Sequence, residues 1–290
     1  MANDQAERLR ERLKSLKLRA KSIAVMSGKG GVGKSNFSLN FSLALQKENK
    51  RVLLFDLDIG MGNIDILIGE SSNHSIVDFF RGNLSLVDII SHGPNGLDYI
   101  SGGTGLGDIF KMNEERFHLF LNELDYLFKA YDFIIFDMGA GISEDSLRFI
   151  LSVDEIIVIT TPEPTSMTDA YSAIKNICVN HQTMPFSIVV NRAFNNKVGD
   201  QTFQRLFQTM KQFLNREITL LGVIPDDSSI MKAVIDQQPV LLYQPSCKAS
   251  KALLSISKDF LTRSHKDEEI PESTPFISKL KSFFMKGRQI

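Results

Sequence analysis

Six short apolar runs punctuate the chain, at residues 23–27, 52–56, 133–137, 155–160, 186–191 and 219–224. They are apolar on both alternating sets of positions, as strands covered on both faces are, and helix-like segments separate them. The repeating order of strand and helix predicts an α/β fold in three layers, with a mostly parallel central sheet flanked by helices. Residues 113–130 read as a long helix with Phe117, Phe120, Leu121, Leu124 and Leu127 on one face. The stretch 60–112 is irregular, with glycine-rich segments at 60–62 and 102–107 and one short strand expected at 97–101.

The two ends differ from this body. Residues 1–21 predict an amphipathic helix, with Asp4 and Glu7 spaced as a capping box and Ala6, Leu9, Leu13, Leu16 and Ala20 on one face. The body is expected over 22–264, followed by a polar linker at 265–274 and a short tail at 275–290. In the tail, Phe276, Ile277, Leu280, Phe283 and Phe284 fall within about a third of a helix circumference. Lys279, Lys281 and Lys286 lie beside or opposite them, and Arg288 follows. This pattern suits a helix lying in a membrane interface, and equally one docked on the body.

Composition narrows the class. Of 290 residues, 43% are hydrophobic and 23% charged, so the chain can bury a core and is not disordered. Its 33 Lys and Arg against 34 Asp and Glu leave a formal charge of −1, and no nucleic-acid partner is expected. Cys178 and Cys247 are too isolated for a disulfide framework or a thiolate metal site, and the 5 histidines show no ligand spacing. No apolar run approaches the roughly 20 residues that span a bilayer, and no secretory leader is visible. The expected location is the cytoplasm, with reversible contact at the inner face of the cell membrane.

The segment Gly28-Lys29-Gly30-Gly31-Val32-Gly33-Lys34-Ser35 fits a phosphate-binding P-loop, between a strand and a helix. Glycines let backbone N–H groups turn toward phosphate oxygens, and the helix presents its positive end to the same anion. Lys34 is expected on the β and γ phosphates and the Ser35 hydroxyl on Mg²⁺. Asp56 and Asp58 follow the second apolar run and Asp137 ends the third. In an open parallel sheet these strand ends share the loop's edge.

With its extra lysine, the loop resembles the deviant Walker A loop of the MinD/ParA ATPases. The resemblance implies that Lys29 crosses to phosphates held by a second copy, so that ATP is sandwiched in a homodimer. It assigns Asp58 to positioning the attacking water, and Asp56 to the outer metal shell or to loop geometry. Asp137 looks like a Walker B aspartate that holds Mg²⁺ through water. Asn191 with Arg192, and Pro225 with Asp227, resemble the family's base pocket, although Asn and Pro-Asp also end strands for local reasons. The chain departs from the family at Ser35-Asn36, where Thr-Thr is usual, and at Met138-Gly139, where MinD tends to have Ser-Pro. Ser35 preserves the metal hydroxyl, and Asn36 stays in the expected nucleotide set.

Residues 4–10, Asp-Gln-Ala-Glu-Arg-Leu-Arg, are similar to the N-terminal activator element of the family's flagellar branch, FlhG, also called YlxH or FleN. That likeness implies an ATPase using ATP and Mg²⁺ that regulates flagellar number and placement. Its implied partners are FlhF, a GTPase of the signal-recognition type that Gln5 would stimulate, and C-ring proteins such as FliM and FliY. The competing readings are a division-site MinD ATPase and a ParA-like ATPase that grips DNA.

Overall fold

The structure is a computed structural model that describes residues 19–58, 63–82, 84–102, 113–181, 183–267 and 276–286. Its strands are β1 (Lys21–Met26), β2 (Val52–Leu57), β3 (Ser91–His92), β4 (Asp98–Ile100), β5 (Phe133–Met138), β6 (Glu155–Thr160), β7 (Phe186–Ala193) and β8 (Thr219–Pro225). They form one sheet in the order β3-β4-β2-β5-β1-β6-β7-β8. All neighbours run parallel except β3 with β4.

The helices among the described residues are α1 (Lys34–Lys47), α2 (Asn63–Ile68), α3 (Ile76–Arg81), α4 (Glu114–Ala130), α5 (Glu144–Ile150) and α6 (Pro164–Asn180), continuing with α7 (Asn196–Leu214), α8 (Ser228–Ile235), α9 (Val240–Tyr243), α10 (Lys248–Asp267) and α11 (Phe276–Lys286). Strand side chains alternate between two cores: Ala24 and Met26 of β1 enter one, Ile23 and Val25 the other. The first core is covered by α3 to α7 and α11, the second by α1, α2 and α8 to α10. This double cover explains the unbroken apolar runs: every residue of β2, β5 and β6 is buried, the polar Asp56, Asp137, Glu155 and Thr160 included.

Polar residues set several helix ends. Ser75 and Ser143 form capping boxes, Asn113 and Asn195 accept from amides of the first turn, and Asn215 closes α7 in the left-handed conformation at φ 48. Within 60–112 the expected strand is present as β4, but α2, α3 and β3 were not expected there. Both helices are 6 residues long, too short to show a 3.6-residue period. α10 extends through Asp267, into the expected linker. The rest of that linker, the segments at 60–62 and 103–107, the expected helix over 1–18 with Gln5, and Arg288 lie outside the described residues.

Of the two readings left open for the tail, the structure has the docked one. Phe276, Leu280 and Phe284 are at most 2% exposed and belong to the first core. The Phe276 ring sits among Phe128, Phe136 and Phe149 at centroid distances of 5.2, 5.4 and 5.2 Å. Phe284 stacks on Phe117 at 3.5 Å. Burying such side chains stabilises by roughly 1.5–3 kcal/mol each, so the apolar face meets the body rather than water.

Candidate functional site

β1 lies between β5 and β6, where the chain order reverses across the sheet, and the crevice beyond its carboxyl end is the fold's natural ligand position. Residues 27–33 occupy it. Gly31 and Gly33 have φ of 80 and 93, the left-handed region that favours glycine. Gly33 is also the N-cap of α1 and provides no side-chain cap, so the first amides of α1 are left for an anion. Gly28 is demanded by something else: a Cβ there would lie 2.2 Å from the main chain of Asp169 in α6. Val32, 4% exposed, roots the loop in the second core.

The acidic side of the site converges on Lys34. Asp56 and Asp137 are register partners on β2 and β5, and neither is exposed. Lys34 Nζ donates to Asp137 Oδ1 at 2.9 Å and lies 3.5 Å from Asp58 Oδ2. Ser38 Oγ donates to the same Asp137 oxygen at 2.8 Å, while Asp137 Oδ2 is buried with no partner. An unpartnered carboxylate oxygen on Asp137, and the Ser35 hydroxyl 3.3 Å from the Lys34 Nζ that binds the same carboxylate, are the donor chemistry a hard divalent cation takes.

Asp56 has a different task. Its oxygens accept from the amides of Asp58 at 3.0 Å and Ile64 at 3.4 Å. Of its two expected roles, these bonds match loop geometry. Burial, followed by the Asp137 charge, pushes its carboxyl up to about 7 despite the two amides and Lys34. Asn63 Nδ2 donates to Asp58 Oδ2 at 3.2 Å, and a Cβ on Gly139 would come within 3.0 Å of Asp58 Oδ1, so the loops after β2 and β5 meet at this carboxylate.

Lys29 sits on the exposed rim, with Nζ 3.3 Å from Glu163 Oε2 and 3.4 Å from Thr165 Oγ1 at the start of α6. On the other side of the loop, Asn191 is 6% exposed and donates through Nδ2 to the Val32 carbonyl at 2.8 Å. Its Oδ1 is buried without a partner, which leaves an acceptor free. Arg192 adopts φ 54 and is exposed, within the register shift of β7 against β8 between Val190 and Ala193. Asn36 lies in the first turn of α1 and accepts from Asn40 Nδ2 through its carbonyl at 2.8 Å.

Pro225 ends β8, but Asp227 does not leave its carboxylate free for a base. Oδ1 accepts from the Ser229 amide at 2.9 Å and Oδ2 from the Ala249 amide at 3.2 Å. Asp227 therefore caps α8 and ties down α10. Burial raises its carboxyl, yet the Ser229 and Ala249 bonds outweigh it and bring it down to about 2.

Ser38, Asn63, Glu163 and Thr165 were not singled out in the sequence. Ser38 had a usable signal, since four residues after Lys34 places it on the same face of α1. The others sit on separate elements that only the fold assembles. In the tail, Phe276, Leu280 and Phe284 are buried, Ile277, Lys279 and Phe283 are partly covered, and Lys281 is exposed. No helix among the described residues is long and apolar enough to cross a membrane.

The fold and this loop define a P-loop nucleoside triphosphatase. A ParA family model, described as NUBPL iron-transfer P-loop NTPase, matches residues 19–261. Among the described residues, no group of three or more His, Cys, Asp or Glu could hold a metal ion. The antiactivator FleN of Pseudomonas aeruginosa is 32% identical over 81% of this chain and 84% of its own. The flagellum site-determining protein YlxH of Helicobacter pylori is 35% identical over 76% of this chain and 74% of its own. The chain belongs to the MinD/ParA family, in the flagellar branch that FleN and YlxH represent. Solved structures share the fold: MinD with Mg-ADP from Pyrococcus horikoshii has TM-score 0.68 and 23% identity over 87% of this chain and 100% of that one. The MinC:MinD complex of Aquifex aeolicus has TM-score 0.69 and 24% identity over 88% and 100%.

Proposed function

We propose that this chain is an Mg²⁺-dependent ATPase that pairs on ATP, binds the inner face of the cell membrane as a pair, and regulates flagellar number and placement. The reading rests on Lys34, held 2.9 Å from Asp137 and 3.5 Å from Asp58 beneath a loop of free helix amides. Those groups lie where the charge of a triphosphate has to be matched.

The loop amides and Lys34 bind the β and γ phosphates, and Asn191 Oδ1 accepts from the adenine amine. Asp137, through water, and Ser35 would hold Mg²⁺, which when bound neutralises charge on the phosphates. Phosphate draws Lys34 away from Asp58, and Asp58, steadied by Asn63, orients the attacking water. The water oxygen bonds to the γ phosphorus as the bond to the β–γ bridging oxygen breaks. Lys34 and the loop amides stabilise the charge left on ADP. Lys29 leaves Glu163 and reaches the phosphates of the second copy.

On pairing, α11 leaves its groove and lays Phe276, Ile277, Leu280, Phe283 and Phe284 into lipid, with Lys279 and Lys281 adding about 1 kcal/mol each near an anionic leaflet. A pair presents two such helices, and tethering makes the second insertion intramolecular. The name of YlxH, a flagellum site-determining protein, supports partners of flagellar assembly: an FlhF-type GTPase engaged through Gln5, and C-ring proteins such as FliM and FliY. The test is sedimentation with anionic vesicles. ATP with Mg²⁺ should carry the full chain into the pellet and ADP should leave it in solution. Equal pelleting with both nucleotides overturns the reading.

A further inference from the structure

The groove that holds α11 has a second claimant within the same chain. Its floor is aromatic: Phe128, Phe136 and Phe149 around Phe276, and Phe117 under Phe284. Phe128 lies near the end of α4 and Phe117 near its start, so α11 runs antiparallel to α4. Once α11 departs, that floor faces water unless something else covers it.

The N-terminal segment reaches the body at the lip of this groove. The Ala20 amide donates to the Phe128 carbonyl at 2.7 Å, and Arg19 pairs with Asp125 of α4 at 3.0 Å. Ala20, 4% exposed, belongs to the same core as Phe276, Leu280 and Phe284. Reading backward from this anchor, the sequence places Leu16, Leu13, Leu9 and Ala6 on one helical face. Leu9 to Leu16 spans about 10 Å of helix, close to the roughly 12 Å from Phe276 to Phe284. A helix continued from this anchor along α4, from Phe128 toward Phe117, would bring those leucines to the floor that the α11 aromatics occupy.

We infer that residues 5–18 and α11 compete for one groove, so that departure of α11 lets the N-terminal segment dock in its place. The inference rests on the proposed membrane release of α11. The two ends are then presented in opposite states: with α11 docked, the segment containing Gln5 is available to a partner, and with α11 in lipid it is withheld. Membrane residence and partner stimulation become mutually exclusive within one copy, without any contact between lipid and partner.

Hydrogen exchange on the full chain tests this, read at peptides covering 5–18, 117–128 and 276–286. Vesicles of phosphatidylglycerol and phosphatidylcholine in equal parts, with ATP and Mg²⁺, provide one route to release. Phe284→Asp in solution provides another that needs no membrane. When 276–286 loses protection, exchange over 5–18 should slow by roughly tenfold or more while 117–128 stays protected. Adding Leu13→Glu should abolish that slowing. Release of 276–286 with unchanged exchange over 5–18 overturns the inference. If vesicles leave 276–286 protected, the membrane reading fails, and the Phe284→Asp chain still decides the competition.

Discussion

Phe117→Ala perturbs the docking of α11 without touching the surface meant for lipid. Phe117 is 1% exposed, and its ring stacks on Phe284 at 3.5 Å with planes 7° apart. Its other aromatic neighbour, Phe120, stands 6.4 Å away. A stacked pair contributes about 0.5–1.5 kcal/mol beyond its burial. The apolar area that Phe284 alone hides adds about 1–2 kcal/mol. The docked helix should therefore lose about 1.5–3.5 kcal/mol, which shifts the docking equilibrium by about 10- to 300-fold. Two assays read this in the ADP state, hydrogen exchange over 276–286 and pelleting with anionic vesicles. Both should rise, because the lipid-facing side chains are intact while the body's hold on them is weaker. Unchanged exchange over 276–286, with the P-loop still protected, would refute the claim that this stack restrains the helix.

Three further outcomes follow from the site. Lys29→Ala removes an exposed contact with Glu163, so thermal stability should change by less than about 0.5 kcal/mol, while ATP-dependent pairing, read by light scattering, is lost. Asn191→Leu leaves the Val32 carbonyl unpaired in a buried position, costing about 1–3 kcal/mol in denaturant melts, and should erase preference for ATP over GTP in competition binding. Asp227 is depressed from 3.8 to about 2 in the folded chain, so its contribution is present above pH 4 and lost as pH falls from about 4 to 2. Asp227→Asn should flatten that limb of the acid-unfolding curve; an unaltered limb would show that the carboxylate is not the group responsible.

How much of the site could be read from sequence varied with the range of the interaction. The P-loop is local, and its glycines, lysines and serine take up the expected strand-to-helix turn. Asp137 was recognisable because a run of apolar residues ending in an acid marks the carboxyl end of a buried strand. The capping role of Asp227 was not legible, because the same Pro-Asp that can line a pocket also caps a helix, and the Ala249 amide that donates to its second oxygen lies 22 residues away. Glu163 could not have been chosen, since nothing near it in sequence indicates that it faces Lys29, 134 residues away.

The amino-acid order alone determined the alternation of buried strands and helices, the phosphate loop between the first of each, and the amphipathic character of the tail. These follow from periodicity and from backbone freedom at glycine, which act over a few residues. Tertiary structure decided which carboxylates share Lys34, which one keeps an unpartnered oxygen, and which surface the tail's aromatics cover. Those outcomes depend on groups distant in the chain, such as Lys34 and Asp137, 103 residues apart, meeting in a dry interior, where pairing and burial are settled by every neighbour at once.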